Sequence, residues 1–161
     1  MKALIVYFSL EGNTQYAAEK IAEETGADLL RLYPEKQYPD SGFRKFFWGG
    51  KSAVMAEKPA LQPYVFDSSA YDTIVFGFPV WAGNFAPPLR TFIRDNDLSG
   101  KNFAAFACQS GSGAEKAFGK LKAALGTDSL AAELILIDPK ARPDAGNDAR
   151  ISGFCGKLLQ L

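Results

Sequence analysis

No histidine occurs anywhere in these 161 residues. That absence removes Ser-His-Asp and Cys-His nucleophilic catalysis and every histidine-ligated metal site together. Cysteine is scarce, with only Cys108 and Cys155, far apart and in no paired motif. Neither a disulfide framework nor a zinc knuckle can be built from them, and a reducing cytoplasm is the expected setting. A net charge is missing too: eighteen basic residues cancel eighteen acidic ones. The chain therefore lacks the electrostatic excess by which proteins hold nucleic acid. No apolar run approaches the ~20 residues that cross a bilayer, so no membrane partner is expected. Lys2 and the apolar residues 3–8 resemble the start of a secretion signal, but Ser9 and Glu11 end the run and no small-residue cleavage site follows. Repeats, low-complexity tracts and long linkers are also lacking, so a single domain over 1–161 is expected. A chain of this length buries about 70% of its unfolded surface and folds without staples.

What is present is an alternation. Five short apolar runs, at 3–8, 28–33, 73–78, 102–108 and 133–137, are separated by segments with helical spacing. Leu4-Ile5-Val6 and Ile74-Val75-Phe76 are apolar on consecutive residues, as strands covered on both faces are. Ala18, Ile21, Ala22 and Thr25 fall on one helical face, closed by Gly26. Pro87 and Pro88 open a helix carrying Leu89, Phe92 and Ile93. Phe118, Leu121 and Leu125 line another, closed by Gly126. Asp148 is the expected cap of a last helix with the stripe Ile151, Phe154, Cys155, Leu158 and Leu159. Strand alternating with helix predicts a parallel sheet with helices on both faces. The irregular stretch 34–66 holds Pro34, Pro39, Pro59 and Pro63 around an expected helix at 42–56, whose aromatic cluster at 43–48 reads as cover for the sheet, with a lid over a ligand's edge as the alternative.

In such a sheet, ligands bind beyond the carboxyl ends of the strands, where the strand order reverses. Strand one is followed by Ser9-Leu10-Glu11-Gly12-Asn13-Thr14-Gln15. Two hydroxyls, a glycine and the free N–H groups of a helix start can cradle a phosphate. The loop contains no lysine or arginine, so hydrogen bonds and the helix dipole alone would hold it. The plainer alternative is an ordinary strand-to-helix turn with Asn13 as its cap. Strand three leads into Pro79-Val80-Trp81-Ala82-Gly83-Asn84, where the Trp81 indole either lies against a planar ligand or packs its own loop. Strand four leads into Gln109-Ser110-Gly111-Ser112-Gly113, uncharged and rich in backbone. Cys108 has no adjacent base and reads as packing, as does Cys155.

The first loop resembles that of the flavodoxin family, whose pattern Thr/Ser-x-Thr-Gly-x-Thr is matched here by Ser9, Gly12 and Thr14. Glu11 stands where the family has a hydroxyl residue, which brings a carboxylate toward a dianion. Pro79-Val80-Trp81 resembles the family's isoalloxazine loop, and the similarity runs over the whole chain. The resemblance implies a flavodoxin-like three-layer sandwich with a five-stranded parallel sheet in order 2-1-3-4-5. It implies flavin mononucleotide (FMN) as cofactor, with Ser9, Glu11 through its backbone, Gly12, Asn13, Thr14 and Gln15 at the phosphate. Pro79, Val80, Trp81, Ala82, Gly83, Asn84, Gln109, Ser110, Gly111 and Gly113 would surround the ring. The implied activity is electron transfer with a redox partner protein or a small-molecule donor or acceptor. An NAD(P)H:quinone-type oxidoreductase is the competing class, and a cofactor-free binding module the third. Because family carriers are strongly acidic and this chain is neutral, a higher flavin potential than theirs is expected.

Three other motifs fail. Gly50-Lys51-Ser52 ends like a Walker A loop, but Lys45 stands at the required earlier glycine. Gly111-Ser112-Gly113 starts a dinucleotide fingerprint whose last position is Lys116. A phosphoreceiver domain needs an acceptor Asp after strand three, and Phe78-Pro79 occupies that place.

Overall fold

The computed structural model describes residues 2–38 and 57–161, so the helix expected at 42–56 and its aromatic cluster lie outside the described residues. Within them, the apolar runs become β1 (Ala3–Tyr7), β2 (Asp28–Arg31), β3 (Thr73–Pro79), β4 (Asn102–Gln109) and β5 (Ala132–Ile137). The helical segments become α1 (Asn13–Thr25), α2 (Pro87–Asp95), α3 (Ala114–Leu125) and α4 (Ala145–Leu158). The strands form one sheet in the order β2-β1-β3-β4-β5, and every neighbouring pair is parallel. β2 is shorter than its apolar run: it ends at Arg31, although the Leu32 N–H still donates to the Tyr7 carbonyl at 2.8 Å, and Tyr33 is exposed.

Because side chains alternate along a strand, each β1 residue feeds one of two cores. Leu4, Val6 and Phe8 face Leu89 and Phe92 of α2 and Phe118 and Leu121 of α3. Ile5 and Tyr7 face Ala18 and Ile21 of α1 and Ile151, Phe154 and Leu158 of α4. Among the described residues, seven aromatic side chains, including Phe76, Phe92, Phe106 and Phe118, are fully buried, and each such phenylalanine contributes ~2–3 kcal/mol of hydrophobic stabilisation. At the centre of the sheet, Gly77 of β3 sits opposite Phe106 of β4. A Cβ there would lie 2.2 Å from the ring's Cζ, so only glycine leaves room for it.

The helix ends test the sequence reading closely. Gly26 and Gly126 close α1 and α3 in the left-handed conformation, and Pro87 and Pro88 open α2. The α4 cap is Asp144 rather than Asp148: its carboxylate accepts the Asn147 N–H at 2.8 Å, and Asp148 falls within the first turn. Leu159 lies past the helix and is 58% exposed, so the apolar stripe ends at Leu158. The cap of α1 is Gly12, not Asn13, because the chain turns there through a φ of 100° that a side chain disfavours.

Candidate functional site

β1 pairs with β2 on one side and β3 on the other, so the strand order reverses between β1 and β3. Beyond the carboxyl ends of the strands at this reversal lies a cavity of about 440 Å³. It is lined by Ser9, Glu11, Asn13, Thr14, Pro79, Val80, Trp81, Gln109, Ser110 and Gly111, ten of the residues expected at the site. Leu10, Cys108, Ser112 and Asp138 complete it. Gly12, Gln15, Ala82, Gly83, Asn84 and Gly113, also expected at the site, are not among its lining residues.

The first loop owes its form to its hydrogen bonds. The Ser9 hydroxyl accepts the Gln15 N–H at 3.1 Å, taking one of the orphan amides of α1. Gln15 turns its side chain away to Glu19 and Arg31, the latter at 2.6 Å. Among the described residues, none accepts a hydrogen bond from the backbone N–H of Leu10, Glu11, Gly12, Asn13 or Thr14. No acidic residue lies in the first turn of α1 to answer its dipole. Asn13 reaches across the molecule, its Oδ1 accepting the N–H groups of Lys140 (2.9 Å) and Ala141 (3.2 Å). Glu11 is exposed at the cavity edge.

Cations come to this loop from elsewhere in the chain, which changes the electrostatics expected from the loop alone. Arg31 at the end of β2 donates to the Ser9 carbonyl at 3.1 Å as well as to Gln15, bracing the loop from behind. Lys140, in the β5–α4 connection, lies along Gly12: a Cβ added there would meet its Nζ at 3.0 Å.

The other wall is made of two docked loops. Trp81 and Asn84 exchange both backbone hydrogen bonds, at 3.1 and 2.9 Å, around Ala82 and Gly83. Positive φ at both central positions, 49° and 72°, is the mark of a type I′ turn. Gly113, the N-cap of α3, packs against this turn, and a Cβ on it would meet Gly83 backbone atoms at 3.2 and 3.3 Å. Gln109 Oε1 accepts the Ala114 N–H at 3.0 Å and fastens the start of α3. The Trp81 indole, 1% exposed, packs edge-on against Phe8 and Tyr38 with centroids 5.6 and 5.3 Å away. It packs against aromatic side chains of other segments while bordering the cavity. Burial pushes the Tyr38 hydroxyl up to about 12, with repulsion from Glu57 adding to it.

Cys108 closes the floor. Burial pushes its thiol up to about 12, against the opposing influence of the Thr14 hydroxyl and reinforced by Asp138. The thiol is protonated at neutral pH and serves as packing. Asp138 was not visible as a site residue in the sequence. It adopts a φ of 39°, accepts the Ser110 hydroxyl at 2.8 Å and pairs with Arg142 at 2.6 Å, tying the β5 end to the β4 loop. The signal for it was positional: β5 also ends at this edge of the sheet, and Asp138-Pro139 follows at once.

Free amides, two hydroxyls and a nearby ammonium at one end of the cavity, with apolar walls at the other, fit a phosphorylated planar ligand. Among the described residues, no cluster of acidic or cysteine side chains could hold a metal, and no helix is long and apolar enough to cross a membrane.

Fold and cleft together define an open, doubly wound α/β protein with its cavity at the topological switch point. The chain belongs to the flavodoxin family, whose model matches residues 2–143. Among solved structures, a protein described as a flavoprotein from Bacteroides eggerthii is 25% identical with a TM-score of 0.76, the match covering 99% of this chain and 98% of that one. A flavoprotein from Lactobacillus acidophilus, solved in complex with FMN, is 25% identical with a TM-score of 0.70, over 86% of this chain and 93% of the other. A flavodoxin from Streptococcus pneumoniae TIGR4 shares the fold at 15% identity and a TM-score of 0.62, over 99% of both chains.

Proposed function

We propose that this chain binds FMN non-covalently and serves electron transfer. The observation that carries the reading is the α1 start: five backbone N–H groups without acceptors among the described residues, flanked by the Ser9 and Thr14 hydroxyls, at the end of a cleft with apolar walls. Family membership and the FMN complex of the Lactobacillus acidophilus relative support it. When bound, the flavin supplies the redox chemistry, and the protein supplies binding, access and electrostatics. The amides of residues 10–14 and the two hydroxyls would hold the phosphate. Pro79, Val80, Trp81, Gln109, Ser110 and Gly111 would border the ring, and the Phe8–Tyr38–Trp81 cluster would keep water from behind the loop that carries Trp81.

Titration with FMN tests the reading: flavin fluorescence should be quenched at one equivalent with a shifted visible absorbance. An unchanged spectrum overturns it. The neutral net charge favours a second reading, an NAD(P)H:quinone-type oxidoreductase, because docking on a basic reductase draws on an acidic surface. Steady NAD(P)H oxidation by the FMN-loaded protein in the presence of a quinone assigns the oxidoreductase. Reduction of bound FMN only through a partner reductase assigns the carrier.

A further inference from the structure

We infer that Lys140 completes the phosphate site as its cation, so that binding depends on the phosphate and on ionic strength; this rests on the reading that the α1 start takes the phosphate of FMN. The ammonium belongs to a residue far away in sequence, yet three of its side-chain atoms crowd one point of the loop. A Cβ on Gly12 would stand 3.0 Å from Nζ, 3.3 Å from Cδ and 3.7 Å from Cε. Glycine at position 12 thus does two things: it permits the φ of 100° and leaves the groove in which the lysine stem lies.

The lysine is delivered rather than adventitious. Asn13, the neighbour of Gly12, accepts the backbone N–H groups of Lys140 and Ala141 and so pins the β5–α4 connection against the phosphate loop. Arg142 secures the same connection from its other end, its N–H donating to the Asp138 carbonyl at 2.7 Å and its guanidinium to the Asp138 carboxylate. Among the described residues, no carboxylate forms an ion pair with Lys140, and Glu11, in the loop it covers, is not its partner. The other cation at the loop, Arg31, is committed to Gln15 and the Ser9 carbonyl. Lys140 is therefore the charge still able to turn toward an incoming anion on a flexible four-carbon stem.

The test compares FMN with riboflavin, which lacks the phosphate, by fluorescence quenching of wild type, Lys140→Gln, Lys140→Arg and Lys157→Gln. Lys157 lies in the last turn of α4, at the far end from this loop, and removes the same charge. At low ionic strength Lys140→Gln should weaken FMN about tenfold and leave riboflavin unchanged, with Lys140→Arg and Lys157→Gln close to wild type. Raising the salt should weaken FMN more steeply in wild type than in Lys140→Gln. Equal FMN affinities in Lys140→Gln and Lys157→Gln, or equal losses of FMN and riboflavin, overturn the inference while FMN binding by wild type keeps the underlying reading. A wild type that binds neither flavin overturns both.

Discussion

Two helix starts flank the cavity, and they begin with the same local device. α1 and α3 each have a left-handed glycine cap, Gly12 at φ 100° and Gly113 at φ 108°. In each, a side chain from the preceding strand end or loop, Ser9 or Gln109, accepts an early helix amide. They differ in what surrounds them. α3 carries Glu115 in its first turn, which answers the helix dipole internally, and its glycine is pressed against the backbone of Gly83. α1 has no acidic residue in its first turn, and its glycine lies under the Lys140 side chain. One start carries its own acidic answer to the helix dipole and packs a wall; the other has none in its first turn, which suits the anion site proposed there. A glycine-rich strand-to-helix loop is therefore not a function by itself. Its tertiary neighbours decide whether it becomes scaffold or site.

The sharpest way to break this contrast is Gly113→Val. A β-branched residue at φ 108°, with Gly83 backbone in the way, should cost ~3 kcal/mol or more and lower the thermal midpoint by many degrees. A midpoint near wild type would show that the two loops are not docked as described. Thr14→Val addresses the other start. It should weaken FMN about tenfold while riboflavin loses far less, measured by the same quenching titration. Equal losses would separate Thr14 from the phosphate. Asn13→Ala removes the bridge to Lys140 and Ala141, and ~1 kcal/mol of stability should go with it. Its FMN affinity should also fall a few-fold, and an unaltered affinity would mean that the bridge does not place Lys140. Smallest is Ala82→Gly, which relieves a positive φ in the wall and should stabilise the fold by less than ~1 kcal/mol in denaturant unfolding, leaving flavin affinity unchanged.

Local features of this protein were legible from residue order. Consecutive apolar residues marked strands buried on both faces; the structure then divides Leu4, Val6 and Phe8 from Ile5 and Tyr7 between two cores. Gly26, Gly126, Pro87 and Pro88 punctuated helices because their backbone preferences act without help from the rest of the chain. The expected cap Asp148, and Asn13 in the plainer reading of the first loop, are residue types that serve equally well as caps or as bridges, and spacing alone does not separate the two.

What the sequence by itself determined is the periodicity and turn chemistry that make a parallel α/β sheet, and with them the loop that opens α1. What only the tertiary structure decided is the company that loop keeps. Asn13 and Lys140 are 127 residues apart and meet because the sheet order sets β5 and α4 on the same side as α1. Gly83 and Gly113 meet because β3 and β4 are neighbours. Charge and contact act through space, and distance along a chain carries no record of them until the strands are paired.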